Sequence, residues 1–160
     1  MRKMTVVGIG AVGGLAAAAL MGSSYKLIAK ASHATPSSGE DATEKVANAV
    51  VSNVAGHGLR KSQTQAGGQI VHYTFGASMG ALYGFLAETL PIATLGAGTL
   101  FGTALYIGAH AVTVPALGLA ESPLQHRPIQ EAPEFGAHLV YGLTLDAMRR
   151  LLARWSSSQR

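Results

Sequence analysis

Three histidines stand at the edges of apolar stretches: His72, His110 and His138. If those stretches are membrane helices that alternate in direction, all three fall at a similar depth on one side. Their helical faces agree as well. His72 shares a stripe with Gly76 and Gly80, His110 with Tyr106 and Gly102, and His138 with Gly142 and Asp146, so each imidazole points into a bundle and away from lipid. Polar groups at that depth are functional candidates by default.

Three chemistries suit such a layer. Two of the histidines could ligate haem, with small residues making room for the macrocycle. His72, His110 and His138 could hold zinc or another divalent metal with Glu121, Glu131 or Glu134. They could also relay protons with Glu88 and Asp146. The plainer account is that they hydrogen-bond across helices and fix the bundle, and it has the larger weight. Asp146 has Arg149 and Arg150 beside it on the same helix, so ion pairing explains it more simply than catalysis. No nucleophile with a base and no phosphate loop is present, so the chain reads as a non-enzyme.

The elements that must position these residues follow from composition. Charged residues make up 12% of the 160-residue chain, where a soluble domain carries about 25%. Mean hydropathy is +0.27, held down by alanine and glycine, which pack well between helices but score low. Cysteine is absent, which excludes disulfides, thiolate metal sites, iron–sulfur clusters and covalent haem attachment. The basic residues that give pI 9.6 lie at the ends of apolar segments without interleaved aromatics, which argues against nucleic acid.

About 20 residues cross a hydrocarbon core, and four stretches qualify: residues 4–22, 69–90, 92–115 and 135–152. The expectation is an all-α integral membrane protein, one membrane domain over 1–160 with four transmembrane helices. Pro91 in "ETLPI" ends the second and makes a hairpin with the third. A short amphipathic surface helix is expected over residues 40–55 in the first connection, with Val46, Val50, Val51 and Val54 on one face, a cap at Ser38–Asp41 and a stop at Gly56. The connection 116–134 carries Pro123, Pro128 and Pro133 and reads as an irregular loop, with Glu131 and Glu134 near the start of the last helix.

Glycines explain how such helices meet. Gly76, Gly80 and Gly84 recur every turn, as do Gly98 and Gly102, followed by Ala104 and Gly108. Interior glycine costs a water-soluble helix about 1 kcal/mol each, but in lipid small residues at steps of four let backbones approach. The opening "VVGIGAVGGLA" matches a dinucleotide fingerprint at Gly8, Gly10 and Gly13. No acidic residue follows at the required distance, and helix packing is the better account. The basic start and apolar run also resemble a secretory leader; we read them as a retained first span.

At "YIGAHAVTVPALGLAESP" and "PEFGAHLVYGLTLDAMRRLL" the chain resembles the YagU-like family of bacterial inner-membrane proteins of unknown function. The resemblance covers roughly residues 70–152 and rests on His110, Pro115, Glu134, His138 and the Arg149–Arg150 pair. It implies an inner-membrane, multi-pass protein and groups His110, Glu134 and His138 in one site; it implies no mechanism. Basic residues in the tails and the outer loops balance, and those abutting the spans place both termini inside.

The functional expectation is a protein that acts by association, an accessory or stabilising subunit of a larger membrane complex. Its partners would be the bilayer and other membrane subunits or a second copy of itself, with no cofactor. The alternatives are a haem or metal protein on His72, His110 and His138, and a small proton or ion conduit.

Overall fold

The computed structural model describes residues 3–34, 41–119 and 122–158. All regular structure in them is helical: α1 (Lys3–Ser32), α2 (Ala42–Ala55), α3 (Lys61–Thr89), a 3-10 turn (Pro91–Gly98), α4 (Thr99–Leu105), a π-helix (Tyr106–Thr113), α5 (Val114–Ala116), a second 3-10 turn (Pro123–Gln125) and α6 (Pro128–Ser158). Two helical stretches, Val6–Ser32 and Pro91–Ala116, are long and apolar enough to cross a membrane. Among the described residues there is no strand, so Gly8, Gly10 and Gly13 lie inside one continuous helix and not at a strand-to-helix turn.

α1 contacts both α3 and α6 along its length. Against α3 it runs antiparallel on glycine. A Cβ on Gly10 would land on the carbonyl oxygen of Gly80, one on Gly14 on that of Gly76, and one on Gly84 within 2.7 Å of the Val6 carbonyl oxygen. The same device joins α4 to α6, where Gly98 meets Gly142 and Gly102 meets the His138 carbonyl. Gly76, Gly80, Gly84, Gly98 and Gly102 therefore all bear on backbone of their own chain. Gly108 differs, with open space where a side chain would stand.

α3 and α6 reach one another through tyrosines. The Tyr141 hydroxyl donates to the Gly76 carbonyl at 2.7 Å, and that of Tyr83 to Asp146 Oδ1 at 2.8 Å. Tyr83, Tyr141 and Leu145 are the fully buried centre, together with Ala17 and Ala18 of α1.

The helices overrun the spans assigned from hydropathy. α1 has 30 residues, α3 29 and α6 31, which at 1.5 Å per residue is about 45 Å, against about 30 Å of hydrocarbon. The overhang gathers at one end, since α1 extends past Gly22 while α3 and α6 start early. The expected irregular loop 116–134 is accordingly shorter. Pro128 opens α6, where its fixed φ suits a first helical turn, and Pro133 sits buried inside the helix.

The third stretch is not one helix from residue 92. Leu95 is extended, and Gly96, Ala97 and Gly98 have φ of 60°, 54° and 90°. The break is a left-handed turn that glycine makes accessible, after which helix resumes at Thr99.

α2 starts on Asp41, whose carboxylate accepts from the Thr43 and Glu44 amides, and ends on Gly56 at φ 74°. Ser38 and Glu40 of the expected cap and helix start lie outside the described residues. The face that α2 turns to α3 is its small and polar one. Ala47 is buried against Gly67, Glu44 lies on Gly68, and Asn48 Oδ1 accepts the Leu59 amide at 2.7 Å. Val50 and Val54 are left exposed.

Candidate functional site

The overhanging end carries the histidines. The π-helix presents Tyr106 and His110 one turn apart, with ring centroids at 5.3 Å. Both meet Glu131 in the first turn of α6: the Tyr106 hydroxyl donates to Oε2 at 3.1 Å, and His110 Nε2 stands 3.6 Å from the same oxygen. His126, from the loop between α5 and α6, places Nδ1 2.5 Å from Oε1. One carboxylate thus collects a phenol and two imidazoles from two separate segments. Negative charge in the first turn of α6 also suits the positive end of its dipole.

Behind this cluster, the His138 ring lies 5.5 Å from Tyr106 and 6.3 Å from His110. Its Nδ1 is 2.8 Å from the Glu134 carbonyl oxygen, which only accepts, so Nδ1 carries the proton and donates. Glu134 Oε1 is 3.5 Å from the same nitrogen. Burial, with Asp41 and Glu131 adding negative charge, pushes the Glu134 carboxyl up to about 7.

His72 is not part of this group. Its Nε2–H donates to the Ala18 carbonyl at 3.0 Å, tying α3 to α1. It faces the bundle on the stripe it shares with Gly76, which also meets Ala18, but toward α1 and not toward Glu131. Among the described residues no set of three or more His, Asp or Glu side chains is placed to hold a metal ion. The proposed His72, His110 and His138 ligand set is therefore not assembled, and Glu121 lies outside the described residues.

At the other end, Asp146 is 1% exposed and holds a second cluster. Arg149 reaches Oδ1 through Nε at 3.2 Å and Nη2 at 3.1 Å, while Arg150 Nε donates to Oδ2 at 2.6 Å. With Tyr83 on Oδ1, the carboxylate is matched by both arginines. Glu88 is exposed and stands apart.

Tyr83, Tyr141 and His126 were the residues that sequence reasoning passed over. The tyrosines lie within apolar, glycine-rich runs and read as bulk. The available signal was that a buried tyrosine hydroxyl needs a partner, and Asp146 and the glycine-exposed carbonyl at Gly76 were candidates.

Fold and clusters together define an all-helical bundle with two membrane-length apolar helices and an ionisable group at each end. Residues 43–147 match the family model described as a protein of unknown function, DUF1440. The chain belongs to that family. The match runs from α2 through Glu131, Glu134, His138 and Asp146, and leaves α1 outside. No curated protein and no solved structure gives a significant match.

Proposed function

We propose that the chain is a four-span integral membrane protein of the bacterial inner membrane that works by association, as an accessory or stabilising subunit, and catalyses no reaction. Four spans are supported by the way α3 and α6 accompany α1, with glycine-to-backbone contacts of the kind lipid favours. Large exposed side chains such as Leu15, Phe75, Phe85, Ile107 and Leu143 ring the outside. The resemblance to the YagU-like family supports the location.

One observation carries the association. Only 17% of the Pro91–Ala116 window is buried, against 33% for Val6–Ser32. This arm leans on α6 and presents outward Leu100, Ala104, Ile107, Gly108 and Val112, all exposed. Ala104 and Gly108 at a step of four permit close approach of another helix, and the occupant we assign is a helix of another membrane protein.

The test is isolation in mild detergent. The protein should co-purify with a partner in fixed ratio, and Gly108→Leu should lose that partner while melting at the wild-type temperature. A wild-type protein that runs alone at its monomer mass refutes the reading.

A second reading, a proton or ion conduit, rests on the π-helix, a geometry frequent at functional sites, which aims Tyr106 and His110 at Glu131. Proteoliposomes that leak protons and cations no faster than empty vesicles remove it.

A further inference from the structure

The Asp146 cluster contains more positive charge than its carboxylate needs. Arg149 alone meets Oδ1 with two nitrogens, and Tyr83 adds a third donor to the same oxygen. That would satisfy a buried aspartate, because a carboxylate is neutralised by one guanidinium. Arg150 is a second, on Oδ2, and leaves the group with a net positive charge. Its contact uses Nε only, so both terminal nitrogens stay available, and its side chain is 52% exposed. Arg149, at 19% exposed, lies beside it.

The helix dipole favours cations only in the last turn, and α6 runs on to Ser158, beyond both arginines. It accounts neither for them nor for the buried aspartate that fastens them. Burying a carboxylate is costly even when it is paired. What Asp146 adds is orientation. It holds two guanidinium groups as neighbours, Arg149 through Nε and Nη2 and Arg150 through Nε alone, so the free fork is the Nη1–Nη2 edge of Arg150. Guanidinium forks match phosphate oxygens in bidentate fashion, and a pre-set fork loses less freedom on binding. The pair stands near the end of the last apolar stretch, which on the four-span reading proposed above puts it within reach of lipid phosphates.

We propose that Arg149 and Arg150, set by Asp146 and Tyr83, bind a phosphate-bearing anion at this end of the bundle. Its source is either the headgroup of an anionic lipid or a free phosphate, and the two are separable. Trp155, the chain's one tryptophan, lies five residues beyond Arg150 and is exposed, so it reports on this end without a label.

The full chain is reconstituted in phosphatidylcholine vesicles that contain either brominated phosphatidylglycerol or brominated phosphatidylcholine, and Trp155 quenching is followed. At about a fivefold preference per arginine near a charged headgroup, the brominated phosphatidylglycerol should quench at a several-fold lower mole fraction. Arg150→Gln should cut that preference about fivefold. Arg150→Lys, which keeps the charge but not the fork, should restore only part of it. Arg149→Gln gives an independent check, with circular dichroism confirming the fold of each variant.

If the lipids quench alike but inorganic phosphate shifts Trp155 emission, and Arg150→Gln abolishes the shift, the phosphate site stands with a free phosphate as its source. Equal quenching with no response to phosphate overturns the proposal. So does a preference for phosphatidylglycerol that survives in both glutamine variants.

Discussion

Each end of α6 carries one carboxylate that collects donors from other segments, and the two are built differently. Asp146 takes two arginines and a tyrosine and is almost fully buried, whereas Glu131 takes two histidines and a tyrosine and its side chain is 16% exposed. Arginine stays charged at any pH a protein meets, but histidine gains or loses its charge near neutrality. The Asp146 end is thus a permanent fastening of α3 to α6. The Glu131 end joins the π-helix and the preceding loop to α6 with groups that can release. The closed glycine seams of α1 with α3 and α4 with α6 lie between them and support both.

The seam should matter most. In Gly80→Leu the new side chain would meet backbone of Gly10 and Gly14, which a helix cannot move aside as a flexible side chain would. The expected result is loss of the folded bundle in detergent, seen as an absent cooperative melt. A wild-type melt for this variant would mean that the seam is open. Gly102→Leu, against the His138 carbonyl, should act the same way on the seam of α4 with α6.

Next in size is Asp146→Ala. It leaves the buried Tyr83 hydroxyl without its acceptor and Arg149, 19% exposed, without its counter-charge, while Arg150, 52% exposed, can turn to solvent; a cost of about 2–3 kcal/mol is expected. Tyr83→Phe removes one hydrogen bond and should cost about 1 kcal/mol. Thermal melts of the two single variants and the double variant test whether they act through the same oxygen: the double variant should be no less stable than Asp146→Ala alone. Full additivity would separate them.

Glu131→Gln comes below that, because its partners are partly solvated. A loss of about 1–2 kcal/mol is expected, and it should be local. Hydrogen exchange should quicken in Tyr106–Thr113 and leave α1 and α3 unchanged. Uniform quickening would contradict the view that the two ends are separate fastenings.

How much of this was legible beforehand depends on which physical quantity the residue types encode. Hydropathy encodes apolar surface, so it located the apolar runs but stopped each helix where its run ends. The residues after Gly22 and before Gln69 continue as helix because nothing in them breaks it. Ser23 and Ser24, for instance, return their hydroxyls to the carbonyls of Ala19 and Leu20. Glycine spacing showed which helix faces could approach but not which helix would fill them, and both seams turned out to be internal. Histidine spacing gave depth, and the facing of His110 and His138 followed, whereas the turn of His72 toward Ala18 depends on how α1 lies against α3. The valines of α2 marked an apolar face without saying what it meets; α3 takes the face that carries Ala47 and Glu44, against Gly67 and Gly68, and Val50 and Val54 stay exposed.

The smallest expected effect concerns Glu134, which stands between the two kinds of end. Its carboxyl titrates near 7 because burial disfavours its charge and Glu131 and Asp41 add repulsion, while His138 is the nearest donor. An ordinary glutamate titrates near 4.5, so the folded state holds a proton that the unfolded chain releases. The sign follows: folding is favoured below about 4.5 and loses that contribution as pH rises through about 7. Melting temperature should therefore decline modestly between these values in the wild type, and the decline should be shallower in Glu134→Gln, which mimics the protonated form. Other charged groups lie at the same end, so the difference between the two profiles is the measure, not either slope alone. If the profiles run parallel, Glu134 is solvated and belongs to neither fastening; if they converge at low pH and separate above 7, the carboxyl is protonated in the folded bundle and ionises at the expense of its stability.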